Sequence, residues 1–275
     1  MEHASQHTGS KLPAWDGAAY AANTGHHRAF DADFLAATPM RSGSRVLDLG
    51  CGSGDLTARL AQLVGPTGEV VGVDAQPSML DEARSRARSN QSFVLASVQE
   101  LGDVFGSDQD ASFDLVTSRA VLHWVPAADQ PGVYRSAARL LRPGGHLRVE
   151  CGGVGNVAST VALLDDVSAS FGGPSSPWTF ADPATALEWV EQAGLDATVE
   201  GCFVRCNGQR RAFDETSLRG WLHSQVLNAY DAGIDPEEHD RFRAVVDARL
   251  GELRRWDGTF DQTWVRLDLL ARRPA

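Results

Sequence analysis

The chain has 275 residues, with 36 acidic side chains against 25 basic ones, a formal net charge of −11, and 43% hydrophobic and 22% charged residues. That length can bury a sizeable core, as one large domain or as a domain with a cap, and the composition is that of a soluble globular protein. The acidic balance argues against a phosphate-tracking surface and so against nucleic acid as a partner. No run approaches the ~18 uninterrupted apolar residues of a membrane span, and the N-terminus lacks a basic-then-apolar leader, so a cytoplasmic chain is expected.

Residues 1–14 are polar and patternless and read as a tail. A short helix is predicted over about 26–37, ended by Pro39. Arg45–Leu49 is a short apolar run leading into glycines, followed by a helical stretch with Leu56, Leu60, Leu63 and Val64 on one face. Glu69–Asp74 is the second strand, and Pro77 opens a helix with Met79, Leu80, Ala83 and Ala87 at helical spacing. Ser92–Ala96 and Phe113–Ser118 are the third and fourth strands. A helix over about Gln130–Leu141 stops at Arg142-Pro143-Gly144-Gly145, where His146–Cys151 begins as the fifth. Alternation of this kind means a parallel sheet covered on both faces.

The second half is less regular. Gly152–Pro177 is rich in Gly and Ser and has room for one helix. Asp182-Pro183 supplies an N-cap and a first-turn proline, and Leu195–Cys206 reads as a strand. Helices are predicted over Asp214–Tyr230 and from Asp235-Pro236-Glu237-Glu238, a capping-box pattern, before an alternating end strand at Thr263–Leu270. The expected fold is α/β: a doubly wound, mostly parallel seven-stranded sheet with a helical cap inserted before the last strand. Residues 1–25 read as tail and cofactor cover and 26–275 as the main domain, with cap or lid segments at about 152–180 and 210–258. Of the four cysteines, Cys51, Cys151, Cys202 and Cys206, none forms a C-x-x-C pair. Cys202 and Cys206 fall on one face of the expected strand. Small buried hydrophobes in a reducing compartment are expected, and no metal site.

The strongest signal is Val46–Gly54, VLDLGCGSG: a buried strand, a glycine turn and a helix at once. Glycines there let the backbone pass close to a ligand at the helix N-terminus. Beyond them Asp74 ends the second strand, where an acid can accept both hydrogen bonds of a ribose diol. A dinucleotide site wants G-x-G-x-x-G, but here the spacing is G-x-G-x-G, with Asp55 at the third-glycine position. Asp48, two residues before the first glycine, would repel a pyrophosphate and help hold an ammonium. That suits a nucleoside with an amino-acid moiety, such as S-adenosylmethionine.

On VLDLGCGSG, VVGVDAQPSML, FDLVTSRAVLHWV and LLRPGGHLRVE, the chain from about Trp15 resembles the class I S-adenosylmethionine-dependent methyltransferases. The Leu122-His123-Trp124 tripeptide and the late helical insertion make it most similar to the trans-aconitate methyltransferase-like small-molecule enzymes. The resemblance implies that Asp48, Gly50, Cys51 and Gly52 surround the methionine part of the cofactor, and that Asp74 binds its ribose. It places Ala75 and Met79 beside ribose and adenine, Ser97 and Val98 at the adenine edge, and Arg119 and Ala120 at the methionine end. Relatives often have an aspartate where Ser97 stands. Tyr20 and Arg28 match an N-terminal pair that closes over the cofactor carboxylate.

Methyl transfer from a sulfonium is an in-line displacement, in which the enzyme aligns the partners and excludes water. A carboxylate acceptor is already ionised, whereas an alcohol, phenol or carbon acid needs a base. His123, past the fourth strand, is the candidate base, against a structural hydrogen bond beside Trp124. Trp124, Asn156, Trp178, Trp221 and Tyr230 are candidate substrate contacts, with cap packing or a turn as the plain alternative. Arg210 would clamp an acid in bidentate fashion, unless it is simply solvated. The expected activity is methylation of a small molecule, most simply at a carboxylate or hydroxyl oxygen. A natural-product C- or N-methyltransferase and a cofactor-binding protein without transfer activity are the alternatives. Monomer and homodimer are both open.

Overall fold

The computed structural model describes residues 32–275. A helical turn at 32–36 precedes a seven-stranded sheet, β1 Arg45–Leu49, β2 Glu69–Asp74, β3 Gln91–Leu95, β4 Phe113–Arg119, β5 Leu141–Gly152, β6 Phe203–Phe213 and β7 Phe260–Arg272, in the order β3-β2-β1-β4-β5-β7-β6. The first five strands pair in parallel, and β7 runs antiparallel to both β5 and β6. The strand order reverses between β1 and β4, which opens a crevice at the carboxyl ends of the strands.

Local chemistry explains the helices. Helix α1 (Asp55–Val64) is bounded by Gly54 and Gly65, both at positive φ, and buries Thr57, Leu60, Ala61 and Val64. Helix α2 (Pro77–Ser85) starts on proline and buries Met79, Leu80 and Ala83. Helix α3 (Gln130–Leu140) turns Val133, Tyr134 and Ala137 inward, and α4 (Ala158–Ser170) lies in the Gly/Ser-rich stretch. Helices α5 (Pro183–Gln192) and α6 (Glu215–Gln225) are each capped by an aspartate: Asp182 accepts the Thr185 N–H and Asp214 the Ser217 N–H. After α6 the chain breaks at Val226, so the helix expected to reach Tyr230 ends early and a short α7 (Leu227–Asp231) follows. Helix α8 (His239–Arg249) comes after a 3-10 turn at Pro236–Glu238.

Strand β1 is buried on both faces. Leu47 and Leu49 join Val116, Leu147 and Val149 in the main core under α3 and α5, while Val46 packs with Leu60, Val64 and Leu115 beneath α1. A separate apolar cluster brings together α4, α6 and α8 through Leu164, Leu218, Trp221 and Phe242, with Tyr230, Phe260 and Trp264. The side of the sheet facing away from α3 also carries buried charge. Arg148 donates to Asp268 and to the carbonyls of Val149 and Leu269, and Glu150 lies between Arg119 and Arg266.

Two strands differ from expectation. The strand predicted at Leu195–Cys206 is displaced to Phe203–Phe213, and the earlier segment makes only the bridge Asp196↔Arg272. Beyond Phe203-Val204 this exposed edge strand reads RCNGQRRAF, with little hydrophobic alternation, and its position is set by pairing with β7 from Phe203↔Leu270 to Phe213↔Phe260. Cys202 therefore lies just outside the strand that holds Cys206, and all four cysteines are free. Strand β5 also begins earlier than expected, straight from α3. The register jumps from Phe113↔Leu141 to Leu115↔His146, and Gly144 at φ 76° lies in the extra loop of chain.

Candidate active site

An open cleft lies across the carboxyl ends of β1, β2, β3 and β4, with an empty volume of about 790 Å³ including its mouth. Gly50 and Gly52 form its floor beside β1, and Asp74, Ala75, Gln76 and Met79 border it past β2. Ser97, Val98 and Gln99 close the side past β3, and Arg119, Ala120, Val121, Trp124 and Val125 the side past β4.

The glycine turn hangs on the end of β2. Gly50 and Cys51 both donate to the Val73 carbonyl, at 2.7 and 2.9 Å. Gly50 has φ 67°, and a Cβ there would lie within 2.8 Å of three Val121 side-chain carbons. Gly52 has φ 53°, and a Cβ there would meet nothing within 4 Å, because the backbone faces the open cleft. Asp74 ties the two sides together: Oδ2 accepts the Gly52 N–H and Oδ1 the Gln76 N–H, both at 2.9 Å. Burial raises the Asp74 carboxyl above the ordinary range, and these amide bonds pull the other way.

Ser97 begins a full capping box. Its hydroxyl accepts the Gln99 N–H at 3.3 Å, and Glu100 accepts the Ser97 N–H at 2.9 Å. Gln99 then reaches across to Asp129 at 2.7 Å. Past β4, Ala120 takes a left-handed conformation, φ 58°, with its N–H held by the Glu150 carbonyl at 2.7 Å. The buried Gln130 side chain donates to the carbonyls of Leu122 and Val125, fixing the turn that carries Trp124.

Of the residues expected around a cofactor, Gly50, Gly52, Asp74, Ala75, Met79, Ser97, Val98, Arg119 and Ala120 all border this cleft. Asp48 and Cys51 do not. Asp48 is buried behind the turn, where its two oxygens accept the hydroxyls of Thr57 (2.7 Å) and Thr117 (3.0 Å). Burial raises its carboxyl to about 6, against those two hydrogen bonds and with a smaller contribution from the Asp74 charge. The Cys51 thiol packs toward Gly72 and is pushed up, chiefly by burial. Tyr20 and Arg28 lie outside the described residues.

The remaining candidates scatter. Trp124 borders the cleft, and Trp178 packs edge-on against it, with ring centroids 5.4 Å apart. His123 is buried and is not among the lining residues: its Nδ1 accepts the Gly152 N–H at 3.1 Å. Burial, and then the Arg266 charge, lower the His123 imidazole to about 3. The Asn156 amide oxygen is taken by the Val265 N–H at 3.0 Å, a structural bond to β7. Trp221 packs on Trp264 within the second apolar cluster, and Tyr230 donates to Asp165 there at 2.8 Å. Arg210 is exposed on edge strand β6. Gln76, Gln99, Val121 and Val125 also border the cleft, and sequence patterning does not single them out. Gln99 carries a usable signal all the same, since Ser97-Val98-Gln99-Glu100 spells a capping box.

A relative, trans-aconitate 2-methyltransferase of Methylobacterium radiotolerans, is 32% identical over 222 residues, covering 77% of this chain and 79% of its own. The chain belongs to the class I S-adenosylmethionine-dependent methyltransferases. A family model described as a methyltransferase domain matches residues 40–170, which hold every side of the cleft. An uncharacterized methyltransferase of Schizosaccharomyces pombe is 29% identical over 268 residues, covering 94% of this chain and 98% of its own. The fold is also that of a Haemonchus contortus phosphoethanolamine N-methyltransferase solved with S-adenosylhomocysteine, at a TM-score of 0.58 and 18% identity over 94% of this chain and 57% of that one. S-adenosylmethionine is the cofactor of this methyltransferase, and the cleft suits it. Gly52 leaves its Cβ position open, Asp74 offers carboxylate lone pairs, and Met79 and Val98 supply apolar walls. No helix among the described residues is long and apolar enough to cross a membrane.

Proposed function

We propose that this methyltransferase acts on an oxygen of a small molecule, a carboxylate ahead of a hydroxyl, by in-line displacement. In this reading Asp74 takes the ribose hydroxyls, Ala75 and Met79 flank the nucleoside, and Ser97 and Val98 border the adenine edge. Gly50, Gly52, Arg119 and Ala120 border the methionine end, with Tyr20 and Arg28 as its cover. Asp48 and Cys51 serve from behind, by supporting the turn. When bound, the cofactor supplies an electrophilic methyl group on a positively charged sulfur.

One observation carries the choice of acceptor. Among the described residues, the ionisable side chains bordering the cleft are Asp74, already engaged by two backbone amides, and Arg119. Neither is placed to take a proton from an alcohol or phenol. An ionised carboxylate needs no base, and Arg119, whose side chain is paired with Glu150, leaves the cleft without one. The likeness to an enzyme named for trans-aconitate, an acid, supports the same class.

The test offers S-adenosylmethionine labelled in its methyl group together with panels of carboxylic acids, alcohols, phenols and amines. Labelled product that releases methanol in mild alkali is a methyl ester, the expected outcome. An alkali-stable methyl group would overturn the carboxylate assignment. Binding of S-adenosylhomocysteine with no transfer to any acceptor would favour a protein that binds the cofactor without using it.

A further inference from the structure

His123 stands where three segments meet. It belongs to the 3-10 turn Leu122–Trp124 that follows β4. Its ring nitrogen Nδ1 accepts the N–H of Gly152, the last residue of β5. Its own carbonyl accepts the Thr179 N–H at 2.8 Å, from the segment between α4 and α5. A backbone N–H can only donate, so Nδ1 carries no proton and the ring proton sits on Nε2. The tautomer is therefore set by the fold.

The surroundings leave this arrangement little play. A Cβ on Gly152 would lie 2.4 Å from the Phe180 ring and 2.9 Å from the Asn156 amide nitrogen. The His123 ring packs at 5.9 Å from Phe180 and 5.5 Å from Trp124, and Trp178 stacks on Phe180 at 5.3 Å. Trp124 is the member of this group that borders the cleft, and its ring packs against Trp178. Moving the His123 ring would therefore shift the wall of the cleft past β4.

We propose that His123 is a positioning residue: by accepting the Gly152 N–H and holding the 178–180 segment, it sets Trp124 in the wall of the cleft and takes no proton itself. This rests on the proposed placement of the cofactor in the cleft, with Arg119 and Ala120 at its methionine end. A general base would need a ring nitrogen bordering the cleft; the structure instead gives the side chain a backbone partner and gives the cleft to its neighbour.

The distinguishing variants are His123→Asn and His123→Leu. The Asn Oδ1 lies the same number of bonds from the backbone as Nδ1 and accepts the Gly152 N–H, whereas Leu fills volume but accepts nothing. The probe is S-adenosylhomocysteine, followed by calorimetry and by the indole N–H signals of ¹⁵N-tryptophan-labelled protein. In the wild type, a long-range ¹H–¹⁵N spectrum at neutral pH should show His123 as the Nε2–H tautomer; an Nδ1–H ring would overturn the proposal whether or not either variant folds. His123→Asn should leave the Trp124 signal in place, and His123→Leu should shift or split it while the affinity for S-adenosylhomocysteine stays within about threefold. A Trp124 signal unmoved in His123→Leu, or moved equally in both variants, overturns the positioning role. Absence of S-adenosylhomocysteine binding in the wild type would instead overturn the placement of the cofactor site on which the proposal rests.

Discussion

Asp74 and Gly52, 22 residues apart, are joined by a 2.9 Å hydrogen bond from the glycine N–H to the carboxylate Oδ2. The acid at the tip of β2 thus holds the glycine turn at the tip of β1, and one carboxylate serves both the shape of the cleft and the ligand inside it. Asp74→Ala removes this tie together with the ribose acceptor. It should weaken binding of S-adenosylhomocysteine by about 1–3 kcal/mol, with Asp74→Asn between it and the wild type. Isothermal titration measures this, and unchanged affinity in the alanine variant would place the ribose elsewhere.

Gly50 is constrained twice, by φ 67° and by Val121, whose side-chain carbons would lie 2.2–2.8 Å from a new Cβ. Gly50→Ala should cost about 1 kcal/mol in backbone strain and a further ~1–3 kcal/mol in overpacking. Adding Val121→Ala should restore the packing part and leave the strain. Chemical denaturation of the single and double variants separates the two, and a double variant no more stable than Gly50→Ala would show that Val121 yields freely.

Asp48 makes stability depend on pH with a definite sign. Its folded carboxyl titrates at about 6, above the ordinary 3.8, so between those values the folded state keeps a proton that the unfolded chain has released. The contribution is fully present below about 4 and is lost as pH rises through about 6, on the order of 3 kcal/mol. Asp48→Asn should flatten that part of the profile. Thermal melts from pH 4 to pH 7.5 test this, and an Asn variant with the same slope as the wild type would show that the slope arises elsewhere.

Arg148 is almost wholly buried and is held by Asp268 and two backbone carbonyls. Arg148→Met would leave Asp268 partnered by Arg205, which is half exposed, with a weaker contact from Asn207. The loss should be about 1–3 kcal/mol, below the usual cost of breaking a buried pair from one side, because Arg205 still compensates the Asp268 charge. A urea midpoint within experimental scatter of the wild type would show the ion pair to be replaceable by packing. Because Arg148 is not among the cleft residues, S-adenosylhomocysteine affinity should be retained wherever the variant folds.

Much of the cleft is legible in the amino-acid sequence because its signals are local. A glycine run after a buried strand demands positive φ and close approach. An acid at the end of the next strand falls at the same edge of a parallel sheet. The helix after Asp182 is legible for a similar reason: Asp182 accepts the Thr185 N–H, as an N-cap should. Edge strand β6 is not, because exposed edge residues are not patterned by a core and take their register from β7.

The amino-acid sequence alone determined the order of strands and helices, the glycine turn and Asp74, since these follow from backbone freedom, hydrophobic period and short-range spacing. Tertiary structure decided what each polar side chain does. Asp48 turns to Thr57 and Thr117, Asn156 to Val265, Tyr230 to Asp165 and His123 to Gly152, each partner distant in the chain or on another element. A buried polar group takes whichever partner the packing brings within about 3 Å, and that choice is made by the fold as a whole.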